Sequence, residues 1–141
     1  LQNANIICPD DKLRTGISEA LKSNECLDLN PLGVVGVTTA YNDGEQWLDA
    51  LRVYLDENCE LLRSYINENI SGWKVCDSES TYLAWIDVSG TGMTGDKVAS
   101  YLLDECKVRV SPGSIYDAPD YIRINYACPR ARLMEALKRI K

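Results

Sequence analysis

The 141-residue chain contains no histidine. That removes the imidazole from any acid–base scheme and withdraws the commonest zinc ligand. No CxxC pair occurs among Cys8, Cys26, Cys59, Cys76, Cys106 and Cys128, and most of the six lie in apolar stretches. Free, buried thiols in a reducing cytoplasm are therefore expected, not a disulfide framework. Long hydrophobic runs are missing too: none approaches the roughly 18 residues of a membrane span, and the start lacks a basic-then-apolar leader layout. Positive charge is in short supply, with 15 Lys and Arg against 21 Asp and Glu, a net charge of −6 and a pI near 4.6. Nucleic acid and anionic membrane are accordingly not expected partners. Internal repeats and low-complexity tracts are absent as well.

What is present is the composition of a folded soluble protein, 45% hydrophobic and 26% charged, in a length that suits one domain or a small domain with part of another. Asn5-Ile6-Ile7-Cys8 reads as a short buried strand ending at Pro9. Pro9-Asp10-Asp11 opens a helix with Leu13, Ile17, Ala20 and Leu21 at helical spacing. A loop then runs to the Asn30-Pro31 step, which biases Asn30 towards an extended backbone. Small apolar residues from Leu32 to Tyr41, with Gly33 and Gly36, suit a tightly packed helix.

The clearest element is a long helix over residues 45–69. Trp47, Leu48, Leu51, Tyr54, Leu55, Leu62, Tyr65 and Ile66 mark its inner side, and Asp49, Arg52, Asp56, Glu60 and Arg63 its wet side. Ser71-Gly72 stops it. Residues 73–76 and 81–88 read as strands around a polar turn. Gly90, Gly92 and Gly95 form a flexible loop whose spacing matches no phosphate cradle. Thr94 caps a helix with Val98, Leu102 and Cys106 inward. Strands are expected at 108–110 and 121–127, separated by Ser111-Pro112-Gly113, and Pro129 starts a last helix. This order fits an α+β fold, a two-layer α/β sandwich whose small, mostly antiparallel sheet carries helices on one face.

In the run Tyr121-Ile122-Arg123-Ile124-Asn125-Tyr126-Ala127-Cys128-Pro129-Arg130, strand alternation separates Ile122, Ile124 and Tyr126 from Arg123, Asn125 and Ala127. A guanidinium projecting from a strand can offer its planar fork to a carboxylate. On pattern alone, an arginine on the wet side of a sheet is the readier reading.

Arg-Ile-Asn-Tyr-Ala-Cys-Pro-Arg, ending at Arg130, resembles the R-x-N-x-A-x-P-R block near the C-terminus of class I/II PLP-dependent aminotransferases, fold type I. It is most similar to the cystathionine β-lyase-like C–S lyase branch. Asn30-Pro31-Leu32-Gly33 with Ala40-Tyr41, then Gly44-Glu45 and Trp47-Leu48, resembles the stretch leading into that branch's interdomain helix. Thr81-Tyr82-Leu83-Ala84-Trp85-Ile86-Asp87 resembles its T-Y-L-A-W-x-D strand, and Ser111-Pro112-Gly113 its S-P-G loop. The matches keep the family order along nearly the whole chain.

The resemblance implies that Arg123 grips the substrate α-carboxylate, with Asn125 shaping the same face and no catalytic role assigned to it. It implies that Asn30 neighbours the cofactor phosphate of an adjoining subunit; an Asn-Pro turn is the readier account of this residue. Asp87, at a strand end, reads as a capping or solvated carboxylate. Trp73, Trp85 and the tyrosines read as core and interface residues. Pyridoxal 5'-phosphate is the implied cofactor, an amino acid the substrate and a cytoplasmic homodimer the parent.

No lysine here matches the family's Schiff-base position, and Leu1-Gln2-Asn3 resembles the family's segment just downstream of that lysine. The expectation is a C-terminal fragment, 1–42 being a remnant of the large cofactor domain and 43–141 the small domain. Catalytic residues are then expected in the missing N-terminal part, and the fragment alone is expected to be inactive. Its first 42 residues should expose apolar surface. A stand-alone ligand-binding or assembly module is the alternative.

Overall fold

The computed structural model describes residues 4–26 and 28–141, so Leu1-Gln2-Asn3 lies outside the described residues. Five helices are present among them: α1 (Asp11–Ser23), α2 (Pro31–Asp43), α3 (Glu45–Asn69), α4 (Gly95–Asp104) and α5 (Arg130–Ile140). Four strands, β1 (Lys74–Val75), β2 (Leu83–Asp87), β3 (Ser111–Pro112) and β4 (Tyr121–Asn125), form one sheet in the order β1-β2-β4-β3. Every pairing is antiparallel. The chain divides into two compact units, Leu1–Asp49 and Ala50–Lys141, the division falling inside α3.

In the second unit the sheet is two-faced. Ala84 and Ile86 of β2 and Ile122 and Ile124 of β4 are buried, while the alternate residues are half-buried or exposed. Leu62 and Ile66 of α3, Val98 and Leu102 of α4, and Leu133 and Leu137 of α5 complete the same core cluster. Burying such a Leu or Ile side chain contributes about 1.5–3 kcal/mol against exposure. The result is the expected α+β arrangement, with helices covering one face.

The core-facing stripe of α3 contains one polar residue, Asn58, which is fully buried. Its Nδ2 donates to the carbonyls of Tyr126 (3.1 Å) and Cys128 (3.0 Å), and its Oδ1 accepts from Arg130 Nε at 3.3 Å. Arg130 also forms an ion pair with Glu57, its backbone N–H donates to the Tyr54 hydroxyl at 2.7 Å, and its guanidinium lies over the Tyr54 ring. One turn of α3 thus fastens the exit of β4 and the start of α5. Nearby, Arg63 bridges to Asp77 beyond β1 at 2.6 Å. Asp77 raises the guanidinium pKa, by hydrogen bonding first and charge second, against some desolvation.

Two glycines permit a close approach around one backbone oxygen. A Cβ on Gly95, the first residue of α4, would stand 2.0 Å from the Tyr121 carbonyl oxygen, and one on Gly113 would stand 2.6 Å from the same atom. Only a residue without a side chain lets both segments dock there. The glycine-rich segment before α4 has a defined course. Residues Ser89–Thr91 make a 3-10 turn, and Thr91 Oγ1 donates to the Val88 carbonyl at 2.7 Å.

Other expectations change. Asn5-Ile6-Ile7-Cys8 is not a strand, and Ile6 and Ile7 are 60% and 93% exposed; no strand among the described residues lies in that unit to pair with it. The strand expected at 108–110 is displaced to Ser111–Pro112. Lys107 adopts a left-handed φ of 57°, and the Val108 N–H returns to the Leu102 carbonyl at 2.9 Å. That segment is spent leaving α4 before the chain reaches β4, and Pro112, lacking an N–H, sits acceptably on an edge strand. Thr94 is at the N-cap of α4 but its side chain makes no capping bond. Trp47 and Leu48, read as inward, are exposed. All six cysteines are free, but only Cys106 is buried; Cys26 is exposed and the others half-buried.

The first unit is thinly packed within itself: α1 buries no residue and α2 only Gly33. Leu29, Leu32, Val35 and Tyr41 are 64–80% exposed.

Replacing Asn58 with leucine is expected to lower unfolding free energy by about 2–4 kcal/mol, because two carbonyls and Arg130 Nε lose their partner. Urea unfolding checks this, the midpoint falling while the slope is retained. A second outcome concerns Tyr126, whose hydroxyl donates to the Thr81 carbonyl at 3.1 Å. Desolvation, then the Cys59 thiol beside it, pushes its pKa up to about 12. Its stabilising contribution is complete below the unfolded value near 10 and is lost as pH rises through about 12. Thermal melts across that window should fall with pH, and Tyr126→Phe should flatten part of the slope.

Candidate functional site

The face of the sheet turned away from the helices carries Leu83, Trp85 and Asp87 from β2, Tyr121, Arg123 and Asn125 from β4, and Ser111 from β3. Register puts Arg123 between Trp85 on one side and Ser111 on the other. Trp85 stacks on Tyr121 with ring centroids 5.4 Å apart and an interplanar angle of 10°. Tyr116, in the turn after β3, meets Trp85 edge-on at 5.8 Å. The Arg123 guanidinium lies 4.8 Å from the centroid of the Tyr116 ring.

Arg123 is half-buried and, among the described residues, makes no hydrogen bond or ion pair. Its donors are therefore uncommitted. They border a recess of about 270 Å³ lined by Leu83, Arg109, Val110, Ser111, Arg123 and Asn125. With two arginines and a serine lining it and no Asp or Glu, this recess is suited to an anion.

The remaining residues singled out in the sequence have structural occupations. Asn125 is exposed, and its side-chain oxygen accepts from the Ala127 N–H at 2.9 Å, turning the chain out of β4. Asp87 accepts from the Ser89 N–H at 2.9 Å, and hydrogen bonds from the Ser89 side chain and backbone hold its carboxyl below the usual range. It caps the turn after β2. Asn30 caps α2, its side-chain oxygen accepting from the Leu32 N–H at 3.0 Å, and Pro31 takes the first helical position. It borders a separate recess of about 550 Å³ with Ala4, Asn5, Leu29, Val34 and Thr38. Arg123 and Asn30 lie in different compact units.

Sequence reasoning passed over Tyr116, Asn58 and the task of Arg130. Spacing alone marks none of them: Tyr116 lies in an irregular turn, and Asn58 is a polar residue on a helical stripe otherwise read from its apolar members. Arg130 lay in the quoted block, and only its contacts with Glu57, Asn58 and Tyr54 reveal its task.

Among the described residues no cluster of three His, Cys, Asp or Glu could hold a metal, and no helix is long and apolar enough to cross a membrane. No lysine is enclosed either: Lys12, Lys22, Lys74, Lys97, Lys107, Lys138 and Lys141 are all exposed.

Residues 30–140 match the model of the family described as aminotransferase class I and II. Cystathionine beta-lyase PatB of Bacillus subtilis (strain 168) is 31% identical over 143 residues, covering 100% of this chain and 37% of its own length. A PLP-bound protein from Clostridium difficile 630 superposes with a TM-score of 0.90 at 36% identity, over 95% of this chain and 35% of that one. The PLP-bound C–S lyase from Staphylococcus hominis superposes with a TM-score of 0.78 at 29% identity, over 89% of this chain and 34% of that one. The chain thus spans little more than a third of the length of these relatives. With the family motif on β4, the two-layer fold and a family match over residues 30–140, the chain belongs to the class I and II aminotransferases.

Proposed function

We propose that this chain is the substrate-selecting part of a PLP-dependent enzyme acting on amino acids, either a C–S β-lyase or an aminotransferase, and that Arg123 binds the substrate α-carboxylate. The observation that carries this reading is the guanidinium of Arg123, held on the open sheet face with its hydrogen-bond donors uncommitted. A carboxylate accepts two parallel N–H bonds from such a fork. Fixing it there orients the α-carbon, which helps set the bond that reacts. The relatives named cystathionine beta-lyase and C–S lyase favour the lyase chemistry. Residues 43–141 then constitute the small domain, and residues 1–42 belong with the cofactor domain.

PLP supplies an electron sink for charge developing at the α-carbon. Its aldehyde requires a lysine, and the chemistry favours a desolvated amine. With every lysine exposed, the residues of this chain do not fit that end of the cofactor. That lysine then belongs to a part of the enzyme outside these residues. Asn30 remains our assignment as a neighbour of the cofactor phosphate across a homodimer; its cap uses the oxygen, and its amide N–H is the group left to donate. The six free thiols suit a cytoplasmic setting.

In the PLP-loaded enzyme that contains this chain, Arg123→Gln is expected to raise KM for the amino acid about 10- to 100-fold. Steady-state kinetics reads this, and an unchanged KM refutes the carboxylate assignment. With cystathionine as substrate, release of pyruvate, ammonia and homocysteine marks the lyase, whereas amino transfer to an added keto acid marks the aminotransferase. Micromolar PLP added to the 141-residue chain alone should keep its free-aldehyde absorbance; a bound-cofactor spectrum contradicts the assignment of the lysine elsewhere.

A further inference from the structure

The two arginines of the β4 block meet different fates, and the difference identifies a residue with a task in binding. Arg130 lies over the Tyr54 ring at 5.3 Å, but its nitrogens are also taken up by Glu57 and Asn58. Glu57 neutralises its charge, and its Nε and one terminal nitrogen are committed within the fold. Arg123 lies over a ring as well, Tyr116 at 4.8 Å, with no carboxylate or amide on its nitrogens among the described residues.

A ring face holds a guanidinium through its charge and leaves the N–H edge unoccupied. A carboxylate partner would hold it equally well and would neutralise it. Tyr116 is itself held, edge-on against Trp85 at 5.8 Å, and Trp85 in turn stacks on Tyr121 at 5.4 Å. Trp85 and Tyr121 belong to the paired strands β2 and β4, so the ring under Arg123 rests on the sheet that carries Arg123.

We propose that Tyr116 is a positioning residue for Arg123, its ring fixing the guanidinium on the open sheet face with all donors available to the substrate carboxylate. The inference rests on the assignment of Arg123 made above. It predicts that the ring, not the phenol hydroxyl, matters, and that the effect is confined to ligands bearing a carboxylate.

The test uses the PLP-loaded enzyme containing this chain, with L-alanine and L-alaninamide as paired probes differing only in the carboxylate. Binding is read as dissociation constants, from cofactor absorbance. Tyr116→Leu is expected to weaken alanine about 3- to 30-fold, the range of a cation–π contact, and to leave alaninamide unchanged. Tyr116→Phe is expected to bind both as the parent does. Tyr116→Met, which retains bulk against Trp85 without a ring face, replaces the leucine variant if that one does not fold. In the parent, the Arg123 Nε–H proton should show a ring-current upfield shift that Tyr116→Phe retains. Equal weakening of both probes, loss of affinity in Tyr116→Phe, or no upfield shift overturns the proposal. If Tyr116→Leu leaves alanine unaffected while Arg123→Gln weakens it, the positioning role fails and the carboxylate assignment stands. If Arg123→Gln itself spares alanine, the assignment fails and takes this inference with it.

Discussion

The second unit depends on a buried amide. Asn58 sits at 0% exposure with both ends of its side chain occupied, donating to two carbonyls beyond β4 and accepting from Arg130. A buried amide is tolerated only when its hydrogen bonds are made, and once made they are directional in a way hydrophobic contact is not. Leu62 and Ile66 would accept several packings of a sheet against α3. Asn58 accepts one, the packing that brings the Tyr126 and Cys128 carbonyls within reach. The register of β4 against the helices is thereby set, and with it the face on which Arg123 emerges.

That face differs from the covered one in kind as well as exposure. The inner side is aliphatic, Ala84, Ile86, Ile122 and Ile124 against three helices. The outer side holds aromatic rings and a cation: Trp85, Tyr116, Tyr121 and Arg123. Aliphatic residues supply stability through burial, while rings supply flat, polarizable supports that hold charge without quenching it. One short strand contributes to both, since alternate side chains point to opposite faces.

Much of this was legible in the sequence, and the parts that were not share a cause. Long-period helical patterns placed α3 and α5 well, because Leu62, Ile66, Leu133 and Leu137 report burial through their spacing. Alternation around Arg123 placed β4 and put the arginine on the face opposite Ile122 and Ile124. Residues 5–8 misled because apolar composition signals a wish for burial, not a partner strand. Residues 108–110 misled because β-branched composition cannot register that Lys107 turns left-handed and uses the segment to end α4. Asn58, Tyr116 and the contacts of Arg130 are tertiary facts: their partners lie 7 to 76 positions away, at distances no local pattern encodes.

The meeting of Gly95 and Gly113 at the Tyr121 carbonyl has a mechanical consequence. The start of α4 and the loop after β3 are both seated against one atom of β4, two residues from Arg123. Neither can shift alone, for there is no side-chain cushion between them to deform. Helix, loop and strand therefore behave as a single stiff casting, and the guanidinium rides on it like a tooth on a gear. Any displacement of the arginine must come from moving that casting as a whole, and not from local yielding around it.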